Sequence, residues 1–389
     1  MKHSFLQSTA WLVAMFFVLV VPSVTSAQCD GRWMTGPDHV PPGLSNAANA
    51  LAVMPNGDLI AGGEFATAGG VTVNFIARWN GSSWLPLGTG MSNAVRALAV
   101  MPNGDIIAGG GFLNAGGRQV NYIARWDGTS WSALGSGMWG TNFPVVHALC
   151  VLPSGELIAG GDFITAGGVT VNRIARWNGS AWAPLGGGTS GSVRALAFTP
   201  NGDIIAGGNF LTAGGVVASH IARWDGASWS SLGGGMDSGA ATSFVYALAV
   251  MPNGDLVAGG TFSAAGGQVV RSIARWNGTV WAPLGPGAGG LVRTLCPLPN
   301  GDIIAGGWLG INWVRRWNGS SWTTIGSSFA DPNQSHSYGV NSLVVLQSGD
   351  VIAGGNFGSV DGLWTNFIAR WGGSSWTSLG AGLGGERTA

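Results

Sequence analysis

One pattern repeated seven times leaves few folds open to this chain. Its second copy, residues 95–138, reads VRALAVMPNGDIIAGGGFLNAGGRQVNYIARWDGTSWSALGSGM. The acid after each Asn-Gly or Ser-Gly pair falls at Asp58, Asp105, Glu156, Asp203, Asp255, Asp302 and Asp350, at steps of 47, 51, 47, 52, 47 and 48 residues. A period of that length, with turn signals inside each copy, marks stacked repeats rather than a string of independent domains.

Each copy predicts four short strands. In copy two these are strand a over 95–101, b over 105–112, c over 121–126 and d over 131–137. Pro102-Asn103-Gly104-Asp105 predicts a tight a–b hairpin with Asn-Gly in the positive φ angles of a type I′ turn. The pair Gly109-Gly110 in strand b predicts a close backbone approach. A loop with a second Gly pair is expected between b and c, and a second hairpin over 127–130. Four antiparallel strands per copy match a propeller blade, and closure into a ring protects the sheet edges. The expected fold is therefore all-β, a seven-bladed β-propeller with four antiparallel strands per blade. A parallel β-helix competes, but its repeats are usually shorter and lack paired Asn-Gly hairpins.

These motifs carry a resemblance. A hydrophobic strand ending in Gly-Gly, an aromatic, then a Trp and a second Trp resembles the kelch and galactose-oxidase-like propellers. The Ile-Ala-Arg-Trp-Asn-Gly, Leu-Gly and Gly-Gly-x-Phe signatures are more similar to repeats of the fungal bud-site cortical polarity marker family and similar bacterial exported proteins. The likeness covers about residues 47–383 and implies the propeller fold. The copper oxidase members need a Tyr, Cys and His constellation that nothing here matches residue by residue, so that activity is not implied.

The ends of the chain read differently. Lys2 and His3, an apolar run over 11–21, Pro22 and the small residues Thr25-Ser26-Ala27 have the layout of a secretory signal cleaved after Ala27. The expected organisation is a signal over 1–27, an N-terminal segment over 28–46, the propeller over 47–383 and a tail over 384–389, in a protein secreted or held in the periplasm or at the cell surface. The apolar run is too short for a good membrane span, and no other stretch approaches about 20 residues. Gln28 stands where a lipoprotein signal wants a small residue before Cys29. Without Lys2, the only lysine, 16 Arg face 17 acidic residues, a net charge of −1. No basic stripe offers itself to nucleic acid. The three cysteines are too few for a disulfide scaffold. Cys150 and Cys296 take a slot held by Ala elsewhere and read as buried thiols. No metal spacing, cofactor motif or catalytic motif is found, and a monomer is expected.

Residues present in every copy are expected to build the frame. Two Trp series, Trp79 to Trp371 and Trp84 to Trp376, suit packing between blades. Strand b starts and strand c ends on one face, so each anchor acid should pair with the Arg of its copy: Asp58 with Arg78, Asp105 with Arg125, and so on. Asn80, Asn178, Asn277 and Asn318 fit the N-glycosylation pattern. The hairpin wants Asn-Gly there anyway, and Asp127 and Asp225 share the slot, which favours the turn.

Function is expected where copies differ. Extra residues at 138–145, 237–245 and 327–339 fall in d–a connections, and copy six shortens its b–c connection, all on one face. The irregular aromatics Trp139, Trp308, Trp313, Trp364, Tyr122, Tyr246 and Tyr338 map there, as do His147, His220 and His336. At the start of strand a, one residue per copy forms a ring: Asn49, Arg96, His147, Arg194, Tyr246, Arg293 and Asn341, with Glu64, Asp162, Asn209 and Asn356 nearby. The expected ligand-binding residues are those seven aromatics with Arg96, His147, Arg194 and Arg293. Flat aromatics among Arg, Asn and carboxylates suit a glycan or an acidic peptide. The reading is a secreted module that recognises a glycan or protein with its b–c and d–a face. Two alternatives stand beside it: a glycosidase or lyase using carboxylates such as Glu64 and Asp361, and a structural surface protein with no dedicated site.

Overall fold

The computed structural model describes residues 43–140, 143–237, 243–310, 312–330 and 339–380. The expected signal, Cys29, Tyr338, His336 and the tail lie outside these. The described chain holds seven four-stranded antiparallel sheets, each in the order a-b-c-d. In the first, these strands are Ala48–Val53, Leu59–Gly63, Ile76–Trp79 and Trp84–Pro86. The later a strands are Val95–Val100, Val145–Val151, Val193–Phe198, Val245–Val250, Leu291–Pro297 and Gly339–Val345. Each a strand packs against that of the next blade, and the seventh against the first. The a strands thus surround the centre and the d strands lie outermost, the arrangement of a β-propeller. No helix among the described residues is long and apolar enough to cross a membrane.

The core lies between blades. One cluster joins Ile107, Ile123 and Leu134 of the second blade to Val146, Leu157, Phe163 and Trp182 of the third. The two Trp series meet inside each blade, ring centroids 5.2–5.5 Å apart. The indole N–H of the second series then reaches the preceding blade. Trp131 donates to the Leu87 carbonyl at 2.8 Å, Trp182 to Leu134 at 2.9 Å, and Trp229, Trp281, Trp322 and Trp376 do the same. Both Trp series therefore serve as frame.

Two turns differ from expectation. At the a–b hairpin the Met54 amide donates to the Asp58 carbonyl at 2.8 Å and the Gly57 amide to the Met54 carbonyl at 2.9 Å. Gly57 alone has positive φ, +89°, and Asn56 does not. This is a three-residue loop with glycine in the bulge position, not a two-residue type I′ turn. The type I′ signature, two successive positive φ angles, sits instead in the b–c connection, at Gly69 (+52°) and Gly70 (+79°). There the expected loop is a hairpin, Thr67–Ala68 with Val71–Thr72. Five other blades repeat it, and their d–a segments pair with it: Met138–Trp139 with Thr165–Ala166, Met236–Asp237 with Ala264–Ala265, Phe329–Ala330 with Ser359–Val360. Every blade but the fifth is thereby tied to its successor on the b–c and d–a face, the sixth blade having no such hairpin among the described residues.

The seam between the seventh and first blades closes the same way. Leu44 bridges to Ala68, and its amide donates to the Asn366 carbonyl at 2.9 Å. Residues ahead of the first blade thus supply the connection that a d–a segment makes elsewhere. The seventh blade keeps its own d strand, Trp376–Ser378. Among the described residues no strand is exchanged between the ends.

Candidate functional site

The anchor acids and arginines pair in all seven blades. Arg223 meets Asp203 at 2.7 Å and Arg176 meets Glu156 at 3.2 Å, while the others include Arg78 with Asp58 and Arg125 with Asp105. These arginines are spent on the frame. So are the c–d turn residues: Asn80 Oδ1 accepts the Ser82 and Ser83 amides at 3.0 and 2.8 Å. Asp127 accepts from the Thr129 hydroxyl and from the Thr129 and Ser130 amides, and those hydrogen bonds hold its carboxyl far below the usual carboxylate range. Cys150 and Cys296 carry free thiols that burial pushes up to about 11.

The opposite face is built on an extra residue. In every blade the a–b pairing slips by one across from the Gly-Gly pair, as between Val193 and Ala195 opposite Gly208 and Gly207. The supernumerary residue is Asn49, Arg96, His147, Arg194, Tyr246, Arg293 and Asn341 in turn. A β-bulge re-aims one side chain and bends its strand. The glycines are what permit it. A Cβ on Gly208 would sit 1.9 Å from the Ser192 carbonyl oxygen, and one on Gly207 2.5 Å from Val245 Cγ1 of the next blade. The pair that repeats and the residue that varies are two halves of one device.

The seven bulged residues share contacts around one mouth of the ring. Glu64 lies 3.2 Å from Arg96 and accepts from Asn49 at 3.4 Å. Asn341 donates to Asn49 at 3.2 Å and accepts from Arg293 at 2.8 Å. His147 meets Asp162 at 2.9 Å. Burial works to raise the Asp162 carboxyl, but the hydrogen bond to His147 and the charges of His147 and Arg194 outweigh it and hold the group at about 2. The Arg194 guanidinium lies 5.6 Å from the centre of Phe244 and 5.9 Å from that of Tyr246, two rings stacked on each other. Phe244 had no signal of its own in the repeat.

The remaining aromatics scatter. Trp308, 60% exposed, ends strand b of the sixth blade opposite Leu291, two residues before Arg293, and so belongs to the mouth. Trp139 is exposed in a d–a segment paired with Thr165. Trp364 is exposed on a hairpin lying along the outermost strand of the seventh blade. Tyr122, at φ +74°, packs into the apolar cluster between blades two and three. Trp313 differs from the expected exposed aromatic: it is 6% exposed and stacked on Phe329 at 5.7 Å, so it serves packing. Asp361 differs as well. It takes the first positive-φ position of the seventh b–c hairpin, and its Oδ1 accepts from the Ser327 amide and hydroxyl and the Ser328 amide.

Concavity is found elsewhere. An open apolar cavity of about 790 Å³ occupies the other mouth, walled by residues such as Val53, Met54, Met101, Cys150 and Leu152. A second, of about 410 Å³, lies between blades five and six beside Asn253, Arg275, Asn300 and Trp317. These two cavities and the chemical variety thus fall on different faces. We give variety more weight, because the cavity walls are mostly the frame residues that every copy repeats.

Residues 152–179 and 199–224 match a family described as a domain of unknown function (DUF5122) beta-propeller. No curated protein matches the sequence. Among solved structures, the chain is similar to the extracellular domain of a candidate one-component system from B. thetaiotaomicron, at TM-score 0.55 and 12% identity. That match covers 82% of this chain and 39% of the other, so the chain spans about two-fifths of that protein's length. It is also similar to virginiamycin B lyase from Staphylococcus aureus with quinupristin (TM-score 0.51, 11% identity, 80% and 93% covered). A third likeness is to the WD40 beta propeller domain of Doa1 (TM-score 0.50, 15% identity, 81% and 92% covered). At these identities the likeness shows a shared propeller fold.

Proposed function

We infer that this chain is an exported binding module, with repeats of the kelch-like and bud-site marker kind, that recognises a glycan or protein with its b–c and d–a face. The observation that supports this is the column of bulges: one frame presents seven side chains of four kinds at one mouth, while the glycines opposite stay constant. Packing alone would favour one residue type at all seven positions. Variation confined to supernumerary side chains suits recognition, since rigid scaffolds carry their specificity on the variable positions they display.

The test is a glycan array with a parallel pull-down against extracellular proteins, followed by variants. Trp308→Ala combined with Tyr246→Ala should weaken any ligand found by about tenfold or more, because aromatic anchors dominate such contacts. Trp364→Ala, on the outer hairpin, should leave it unchanged. Binding indifferent to the Trp308 and Tyr246 changes would remove this face as the site.

A further inference from the structure

We propose that blades four to six form a carboxylate-binding site at this mouth, and that it takes the uronate groups of an acidic polysaccharide; this rests on the binding face argued above. The ring divides by charge balance. In blades one to three it is neutralised from within, Glu64 holding Arg96 and Asp162 holding His147. In blades four to six, Arg194, Tyr246 and Arg293 stand on three consecutive a strands that pack against one another. Among the described residues no carboxylate lies within 4 Å of either guanidinium, although Asp162 of the third blade feels the charge of Arg194 from further off.

Both are nonetheless partly withdrawn from water. Arg194 Nε is buried with no hydrogen-bond partner, its guanidinium held over the Phe244 and Tyr246 rings. Arg293 spends one Nη1 bond on Asn341. Burial first, and then the like charge of Arg96, work against the Arg293 cation, with Tyr246 pulling the other way. A partly desolvated cation with no carboxylate in contact is costly, and a planar carboxylate that accepts from both guanidinium groups and the phenol would relieve it. The chain as a whole is close to neutral, so this local excess is placed rather than general.

Trp308 decides between a sugar and a peptide as the carrier of the carboxylate. It offers a flat, 60% exposed indole on the strand paired with the Arg293 strand. A uronate residue can lay its apolar C–H face on that ring while its carboxylate reaches the arginines.

The experiment is titration of the exported chain with polygalacturonate, its methyl ester, dextran and poly-glutamate at low and raised salt. Polygalacturonate should bind, more weakly as salt rises, and esterification should abolish binding. Arg194→Gln and Arg293→Gln should each weaken it about tenfold or more, since each removes charge-assisted donors. Arg118→Gln, which removes one positive charge from the exposed outer hairpin of the second blade, should stay within about threefold. Arg194→Lys keeps the charge but not the fork and should fall between, which separates recognition from misfolding. Equal binding of the ester or dextran, or preference for poly-glutamate, overturns the uronate site. So does absence of polygalacturonate binding. If an array ligand is still lost with Trp308→Ala in those cases, the binding face stands and only this assignment falls.

Discussion

Asp203 illustrates what a single residue contributes to a blade. It is 8% exposed and holds Arg223 at 2.7 Å across the b–c strand pair, without the neighbouring Asn amide that helps Asp58 and Asp105. Asp203→Asn should destabilise the fold by about 1 kcal/mol, because its partner arginine is half in water and screened. That corresponds to a melting temperature lower by roughly 2 °C, with ligand affinity untouched. An affinity loss without a stability loss would return this pair to the list of site residues. The pairing was legible in sequence because strand alternation puts both ends on one face. Trp313 was not legible: a lone Trp in a shortened connection looks variable and exposed, and only packing on Phe329 shows it buried.

At the level of elements, the bulge and the Gly-Gly pair define each other. Gly207→Ala would press on Val245, a side chain that can shift, and should cost about 1–3 kcal/mol. Gly208→Ala would press on the Ser192 carbonyl, which is backbone, and should cost more than that and disturb the bulge itself. Comparing the two by denaturant unfolding tests the device directly, and equal losses would mean that the strand relaxes without the bulge. The repeat, its four strands and the ring of variable residues could be read from the chain. The bulge could not, because its signal is a register between two strands rather than a pattern within one. The b–c hairpins were missed for a related reason: strands of two residues, such as Thr67–Ala68, show no periodicity.

The whole ring has one seam unlike the rest. Six junctions carry an indole N–H bond from a Trp to the blade before it, whereas Trp84 at the seventh-to-first junction has a buried N–H with no partner. Trp182→Phe should therefore cost about 1 kcal/mol more than Trp84→Phe, since only the former breaks a buried hydrogen bond, although the Leu134 carbonyl keeps the Gly137 amide. Amide exchange should also show the strands beside Trp84 opening ahead of those beside Trp182. Equal penalties at the two positions would show that the seam is as firmly tied as the others.

The supernumerary residue separates two kinds of inheritance. Because the bulged side chain is surplus to the sheet, exchanging it alters neither the pairing of its blade nor the apolar clusters between blades. Stability is carried by the copies' sameness, and specificity by seven letters that can be rewritten one at a time. A lineage, or a designer, could retarget such a ring without refolding it.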